Sequence, residues 1–535
     1  MNPIRILTAF LIPLMIASTF HGISIKEVEG KDSWFGGGSG TIGDPFIIED
    51  IRDLQNISSN LSAHYFLGND IDASDTVNWN SGSGFDPIGD YQNIFEGSFD
   101  GNNHTISGLF IDRSDLYHVG LFGAIGIGGS VRNVSLVDNI ISGKYCVGGL
   151  AGYNVVGTVT DCYIKGSVSG IYGVGGIIGY NNNGEVVNCY KVGNVYGGSR
   201  IGGIVGHSNH GSISNCSMRG NIIGNDELGG SVGYNEEGEV NSCNFKGNVT
   251  GNSYLGGIVG TSIYWGEYEI FKNCHSKGNI SGVSYIGGLV GENTGLISNC
   301  SSKVSVSGDR AIGGLVGREE MGWISNSYYC IDHAKINGRG YVTPYGIYES
   351  QFDDWWNDNK TLDIDNYLTL VEGTSFYNIS CLSDLKAMLP FAIMGDYEFI
   401  QTEDIDLSSD IGFYIPIFNG LYEGNGFSIS NLNVSYLFNS IIGMFGINQG
   451  TIDNLRISYA YASGEDHIGL LVGYNEGSIF NCNSTGDVSG DSYLGGIAGS
   501  NYDSVKNCRT DVRVKGNIYV GGLLGSNNIA MVSGC

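Results

Sequence analysis

Short apolar runs alternate with glycine- and asparagine-rich corners along most of this chain, and the alternation repeats. Between Gly288 and Gly308, Leu289 and Val290 form one apolar run closed by Gly291, and Asn293, Thr294 and Gly295 make a polar corner. Ile297 and Cys300 lie in a second run, Val304 and Val306 in a third, and Gly308 opens the next corner. Three β-type runs closing on themselves in 26 or 27 residues predict one rung of a parallel β-helix. The period is marked by a tetrapeptide, Gly-(Leu/Ile)-apolar-Gly, opening at Gly149, Gly176, Gly203, Gly257, Gly288, Gly314, Gly496 and Gly522, with Ser231 replacing the aliphatic residue after Gly230. The step is 27 residues for most of the first array, 31 once, and 26 in the last. One such unit cannot bury its own apolar face, so a period of this size means stacked coils. Glycine at the corners permits positive φ, and parallel coils connected this way wind right-handed. The predicted fold is therefore all-β, a right-handed parallel β-helix (β-solenoid).

Stacking turns sequence spacing into columns about 4.8 Å apart per rung. Asn154, Asn181, Asn235, Asn293, Asn448, Asn475, Asn501 and Asn527 share one corner position, where stacked amides can hydrogen-bond along the column. Ser208, Ser262 and Glu319 interrupt it. Cys162, Cys189, Cys216, Cys243, Cys274, Cys300, Cys482, Cys508 and Cys535 share another. A metal would need ligands converging from several directions, and parallel Cβ vectors disfavour disulfides between neighbours. Val134, Ser327 and Leu455 stand at the same phase, which favours an interior position taking a small hydrophobe, with disulfide and metal as weaker alternatives. Cys146, Cys330 and Cys381 lie off this column, and the sequence gives them no partners.

The chain is a duplicated module. Phe95–Asn102 followed by Ile106-Ser107 and Leu109 is echoed by Phe418–Asn425 with Ile429-Ser430 and Leu432; Asp70/Asp72 is echoed by Asp404/Asp406, and Asp53-Leu54 by Asp384-Leu385. The predicted organisation is a signal peptide at 1–22, a capping segment at 31–118, a first array at 119–330, and an irregular connector at 331–372. A second capping segment at 373–442 and a second array at 443–535 follow. Terminal rungs are normally atypical because they cover unpaired strand edges, and the Asp-Leu-rich starts suit a short helix in that role.

Composition narrows the functional classes. Formal net charge is −28, from 54 acidic and 26 basic residues, which makes nucleic acid a poor partner. Mean hydropathy is near zero and aromatic residues are plentiful, so a core can form. Arg5, an apolar run from Ile6 to Ala17 and then small and polar residues have the order of a secretory signal, and predict a secreted or cell-surface protein. Membrane contact is expected only through that signal or an anchor outside the chain. The chain stops at Cys535 in mid-rung, from which self-association through an open last coil is expected.

The tetrapeptide, the Gly-x-(Ile/Val)-x-Asn-Cys step (Gly211 to Cys216, Gly295 to Cys300) and the Gly-x-Val-x-Gly ending (Gly166 to Gly170, Gly486 to Gly490) resemble GLUG-motif repeats. The resemblance implies an exported, adhesin-like β-solenoid, in some cases appended to a peptidase, and it brings no catalytic residues. No peptidase, metal-protease, nucleophile-elbow or phosphate-loop motif is recognisable, so no catalytic, cofactor or metal residue is expected. The expected function is an adhesin-like binding surface or stalk, with cell-surface glycans or proteins as candidate partners. The alternative is a polysaccharide-active β-helix enzyme, a lyase or hydrolase. The candidate contact is the long rung, whose extra residues place Tyr264, Trp265 and Tyr268 on a bulge where rings can stack on a ligand. His207 and His210 at a corner suggest a metal only weakly, and the duplicated Asp pairs read as ligands of turn N–H groups.

Overall fold

The computed structural model describes residues 35–264, 269–319, 322–339, 341–436 and 441–535; the predicted signal peptide lies outside them. Nearly every strand pairs in parallel with its counterpart one repeat away, giving a β-solenoid of about 15 turns with a rung spacing of about 27. A rung carries four strand segments rather than the three expected. The strand Val290–Asn293 begins within the tetrapeptide and is followed by a short strand Leu296–Ser298, a long strand Ser301–Ser307 and a return strand Arg310–Gly313. We call the corresponding sheets the tetrapeptide, short, long and return faces. The fourth segment escapes pattern reading because Ala311 within it takes φ 47° and the strand ends in glycine, which breaks the two-residue alternation.

Register is one residue over its equivalent. On the short face Val159, Val186, Ile213 and Val240 stack in that order, then Phe271 and Ile297, and all are fully buried. A parallel sheet covered on one side by its own core pairs every internal backbone group, so the burial of one such side chain per rung adds roughly 1.5–3 kcal/mol each time.

The tetrapeptide glycines answer to close approach. A Cβ on Gly260 would come within 2.6 Å of the Glu227 and Leu228 backbone, and one on Gly206 within 2.5 Å of that of Gly173 and Val174. The return strand of an adjoining rung crosses at this point, and no larger residue fits.

Each ladder cysteine follows a residue in the left-handed region: Asn188 (φ 54°), Asn215 (52°), Asn273 (54°), Asn299 (53°) and their equivalents. Cys300 therefore sits at the corner between the short and long strands, not inside a run. Asn and Asp tolerate that conformation better than most residues, which explains their presence before the thiol.

Both capping segments hold the expected short helix, Ile51–Asn56 and Leu382–Ala387. Asp53 accepts from Glu49 N at 3.1 Å and Asp384 from Ser380 N at 2.8 Å, while Leu54 and Leu385 are fully buried. The duplicated Asp-Leu pair thus ties helix to strand and plugs the core. The connector is less irregular than expected: Gly346–Ile347 pairs with Tyr329–Cys330, and Glu349–Asn357 is a helix. Its Gln351 donates to Ala387 O at 2.8 Å, joining it to the second module.

Candidate functional site

The buried columns come first, because they hold the surface in register. Asn154, Asn181, Asn235, Asn293, Asn448, Asn475 and Asn501 are fully buried. Asn448 donates to Asn475, and Asn475 to Asn501, each at 2.7 Å, and Asn154 donates to Asn181 at 2.8 Å. The same amides close the corner, as Asn235 does on Gly238 O and Asn293 on Gly295 O, both at 2.7 Å. Cys162, Cys189, Cys216, Cys243, Cys274, Cys300, Cys482 and Cys508 are buried free thiols facing the core beside Val134, Ser327 and Leu455. The Cys162 sulfur lies 3.1 Å from Thr160 O and the Cys482 sulfur 3.0 Å from Phe480 O, so each thiol meets a carbonyl of its own rung. Cys381 and Cys535 are exposed.

One interior position breaks the apolar rule. Lys191 stands between Ile164 and Met218 in the inward column of the long face and has no exposed surface. Its Nζ donates to Gly166 O at 2.6 Å and Val192 O at 3.1 Å, and burial pulls its pKa down to about 7.

The outward side of the long face forms a groove of about 520 Å³. Its floor is made of consecutive rungs. One column holds Tyr190, Ser217, Asn244, His275 and Ser301, and the next holds Arg219, Lys246, Lys277 and Lys303 in unbroken register. Beyond a glycine column runs an amide ladder, in which Asn279 donates to Asn248, and Asn248 to Asn221, each at 3.0 Å.

One end of the groove is walled by the connector helix. Trp355 anchors it, fully buried and donating from Nε1 to Asn326 Oδ1 at 2.7 Å. Its neighbour Trp356 is turned outward, 41% exposed, and meets His275 edge to face with centroids 4.3 Å apart. Lys360 lies 3.2 Å over the Trp356 ring. Lys303 sits 4.6 Å over Phe352 and 3.5 Å from Asp353 Oδ1. His275 bonds Ser301 Oγ at 2.9 Å, and burial, aided by Lys360, lowers its pKa to about 4, so the ring is neutral at physiological pH.

Tyr264, one of the sequence-derived contact residues, lies outside this groove. Tyr264 is half-buried against the core, with its N donating to Thr294 Oγ1 at 2.7 Å, and Trp265 and Tyr268 fall outside the described residues. His207 and His210 face different carboxylates: His207 lies 3.7 Å from Glu236, with burial and then Arg200 lowering its pKa to about 3, and His210 lies 2.8 Å from Glu237. Asp70 accepts from Thr105 N at 2.8 Å and Asp404 from Ser428 N at 2.7 Å, bonds that draw both pKa values down. Among the described residues no three metal-ligating side chains converge.

Pattern reading missed the cation column, although its signal is in the repeats. Lys165, Arg219, Lys246, Lys277 and Lys303 each stand three residues after a ladder cysteine. The Trp355-Trp356 pair was visible, but which ring faces outward depends on helix phase.

Comparison with known proteins places the chain as follows. The family model described as the GLUG motif matches residues 143–169, 197–223, 282–307 and 464–489. A protein of Evansella cellulosilytica, provisionally named a Gly-rich membrane protein, is 38% identical over 157 residues, covering 28% of this chain and 18% of that protein. Halomucin of Haloquadratum walsbyi is 42% identical over 139 residues, covering 24% of this chain and 2% of halomucin. The chain thus aligns with less than a fifth of either relative's length. A crystal structure from Bacteroides ovatus, provisionally named an immunoglobulin A1 protease, is 22% identical with a TM-score of 0.34, covering 57% of this chain and 81% of that one. With four matched motifs, each about one rung long, the chain is a GLUG-motif repeat protein.

Proposed function

We propose that this chain is a surface-displayed β-solenoid that binds glycans in the groove on its long face, as a binding surface and not as an enzyme. The observation that carries the reading is the groove itself: an outward Trp356 ring and a neutral His275 stand beside a floor of hydroxyl, amide and cationic side chains. Sugars present an apolar ring face and a polar edge, and an aromatic ring beside hydrogen-bonding groups answers both. The names of two relatives, a membrane protein and halomucin, favour a surface location.

Most glycoside hydrolases use a pair of carboxyl groups flanking the scissile bond. Among the described residues a single carboxylate, Asp353, lines the groove, and it is committed to Lys303. The test is a glycan array with the full chain and its Trp356→Ala variant, run beside a reducing-end and unsaturated-product assay. Binding that falls about threefold to tenfold in the variant, with no product formed, is expected. Wild-type and variant profiles that coincide, or turnover of any glycan, overturn the reading.

A further inference from the structure

We infer that the groove takes a linear anionic glycan, a carboxylated or sulfated polysaccharide lying along the solenoid axis with one end against the Trp356 wall. This inference rests on the glycan-binding reading and specifies its ligand.

Arg219, Lys246, Lys277 and Lys303 occupy one column on four successive rungs, so neighbouring cations are separated by about the strand spacing of 4.8 Å. Like charges directly opposed on adjacent strands repel and destabilise a sheet. The fold does not require them. Three residues after the ladder position, other rungs carry Val137, Val192, Ser458, Thr485 and Asp511. Apart from Lys165, which is paired with Asp138, the column among these rungs is cationic where it floors the groove, in a chain with more than twice as many acidic as basic residues.

Nor are these charges neutralised. Lys303 reaches Asp353, and farther along the face Lys165 reaches Asp138 at 3.3 Å, but Arg219, Lys246 and Lys277 have no ion-pair partner among the described residues. Three unpaired cations in register, open to solvent on one line, are complementary to a ligand that repeats a negative charge along an extended backbone. A polyuronate or sulfated glycan does so from sugar to sugar. The amide ladder of half-buried Asn221 and exposed Asn248 and Asn279 runs parallel to the cations and offers hydrogen-bonding groups at the same repeat. At the walled end Trp356 provides a ring for the terminal sugar.

The surrounding acidic surface opposes a polyanion at a distance. At physiological ionic strength that field fades within about 8 Å, so the local cations decide the contact.

The experiment is calorimetric titration of the full chain with hexagalacturonate and with its fully methyl-esterified form, in 0.15 M and 1 M NaCl. The acid is expected to bind and the ester to bind at least tenfold more weakly. The preference should shrink in 1 M salt. Arg219→Gln, Lys246→Gln and Lys277→Gln should each weaken the acid about twofold to fivefold, and the triple variant about tenfold or more, without changing the circular dichroism spectrum. Lys515→Gln, on the long face of the second module, serves as the control and should leave binding unchanged.

Equal, salt-insensitive binding of acid and ester overturns the anionic specificity and leaves glycan binding standing. A triple variant that folds and binds as wild type moves the site off this face and overturns the inference. No binding of either form, together with a blank panel of uronic, sulfated and neutral glycans, overturns both readings. A single-stranded oligonucleotide that binds more tightly than the uronan overturns the assignment to a glycan.

Discussion

Lys191→Met should change the sign of its effect on stability with pH. Lys191 is completely buried between Ile164 and Met218, and its pKa is lowered from 10.5 to about 7 by desolvation. A displacement of that size corresponds to roughly 5 kcal/mol. The folded pKa is below the unfolded one, so between pH 7 and 10.5 the unfolded chain holds more protons, and stability rises with pH across that window. Below pH 7 both states are charged and the full desolvation penalty applies. Above about 10.5 both are neutral and it vanishes. Methionine carries no such dependence, and its shape suits a column that already holds Met218. What it gives up is the pair of donated bonds to Gly166 O and Val192 O, worth roughly 1–3 kcal/mol. The variant should therefore be more stable than wild type by roughly 2–4 kcal/mol at pH 6 and less stable by roughly 1–3 kcal/mol above pH 10.5, with a crossover near pH 9. Urea unfolding followed by tryptophan fluorescence at pH 6, 8 and 10 measures this as a shift in midpoint at unchanged slope. Other titrating groups are common to both proteins and cancel in the difference. A variant less stable at every pH by a constant amount would refute the claim that the ammonium is held in the core at a cost.

Asn475→Ala removes an amide that donates to Gly477 O and Asn501 Oδ1 and accepts from Asn448, each at 2.7 Å, and should cost roughly 2–4 kcal/mol in urea unfolding. A loss under about 0.5 kcal/mol would mean that the amide column adds nothing to the stack. In native protein a thiol reagent should label Cys381 and Cys535 first, and the eight buried ladder thiols only on unfolding, when all twelve cysteines react. Rapid labelling of Cys216 or Cys243 in the folded chain would show that the thiol column does not face the core.

Much of the fold was legible because one residue type was forced at one place in every coil. Gly206 and Gly260 are required by backbone crossing from an adjoining rung, so they recur at the period of the coil itself. The cysteines recur because the corner after a left-handed Asn points a small side chain inward, and Val134 or Leu455 fills that place as well. Features without a forced residue stayed hidden. The return strand was missed because Ala311 and its equivalents interrupt the alternation. The connector helix was missed because its nine residues carry no cap motif of Ser, Thr, Asp or Asn; Tyr348 precedes it. The site was least legible. The extra residues of the longest rung are conspicuous in the sequence, whereas Arg219, Lys246, Lys277 and Lys303 are single residues spread over four repeats. Only stacking makes them neighbours, and only the helix phase turns Trp356 rather than Trp355 toward the ligand.

The most direct test of the central claim, that the outward long face is the binding surface, is hydroxyl-radical footprinting of the full chain with and without hexagalacturonate. Oxidation of Trp356, His275 and Tyr190 should fall on binding, while exposed Tyr459 and Trp323, outside the groove, are oxidised as before. Unchanged labelling of those three residues under saturating ligand, with protection appearing on another face, would contradict that claim.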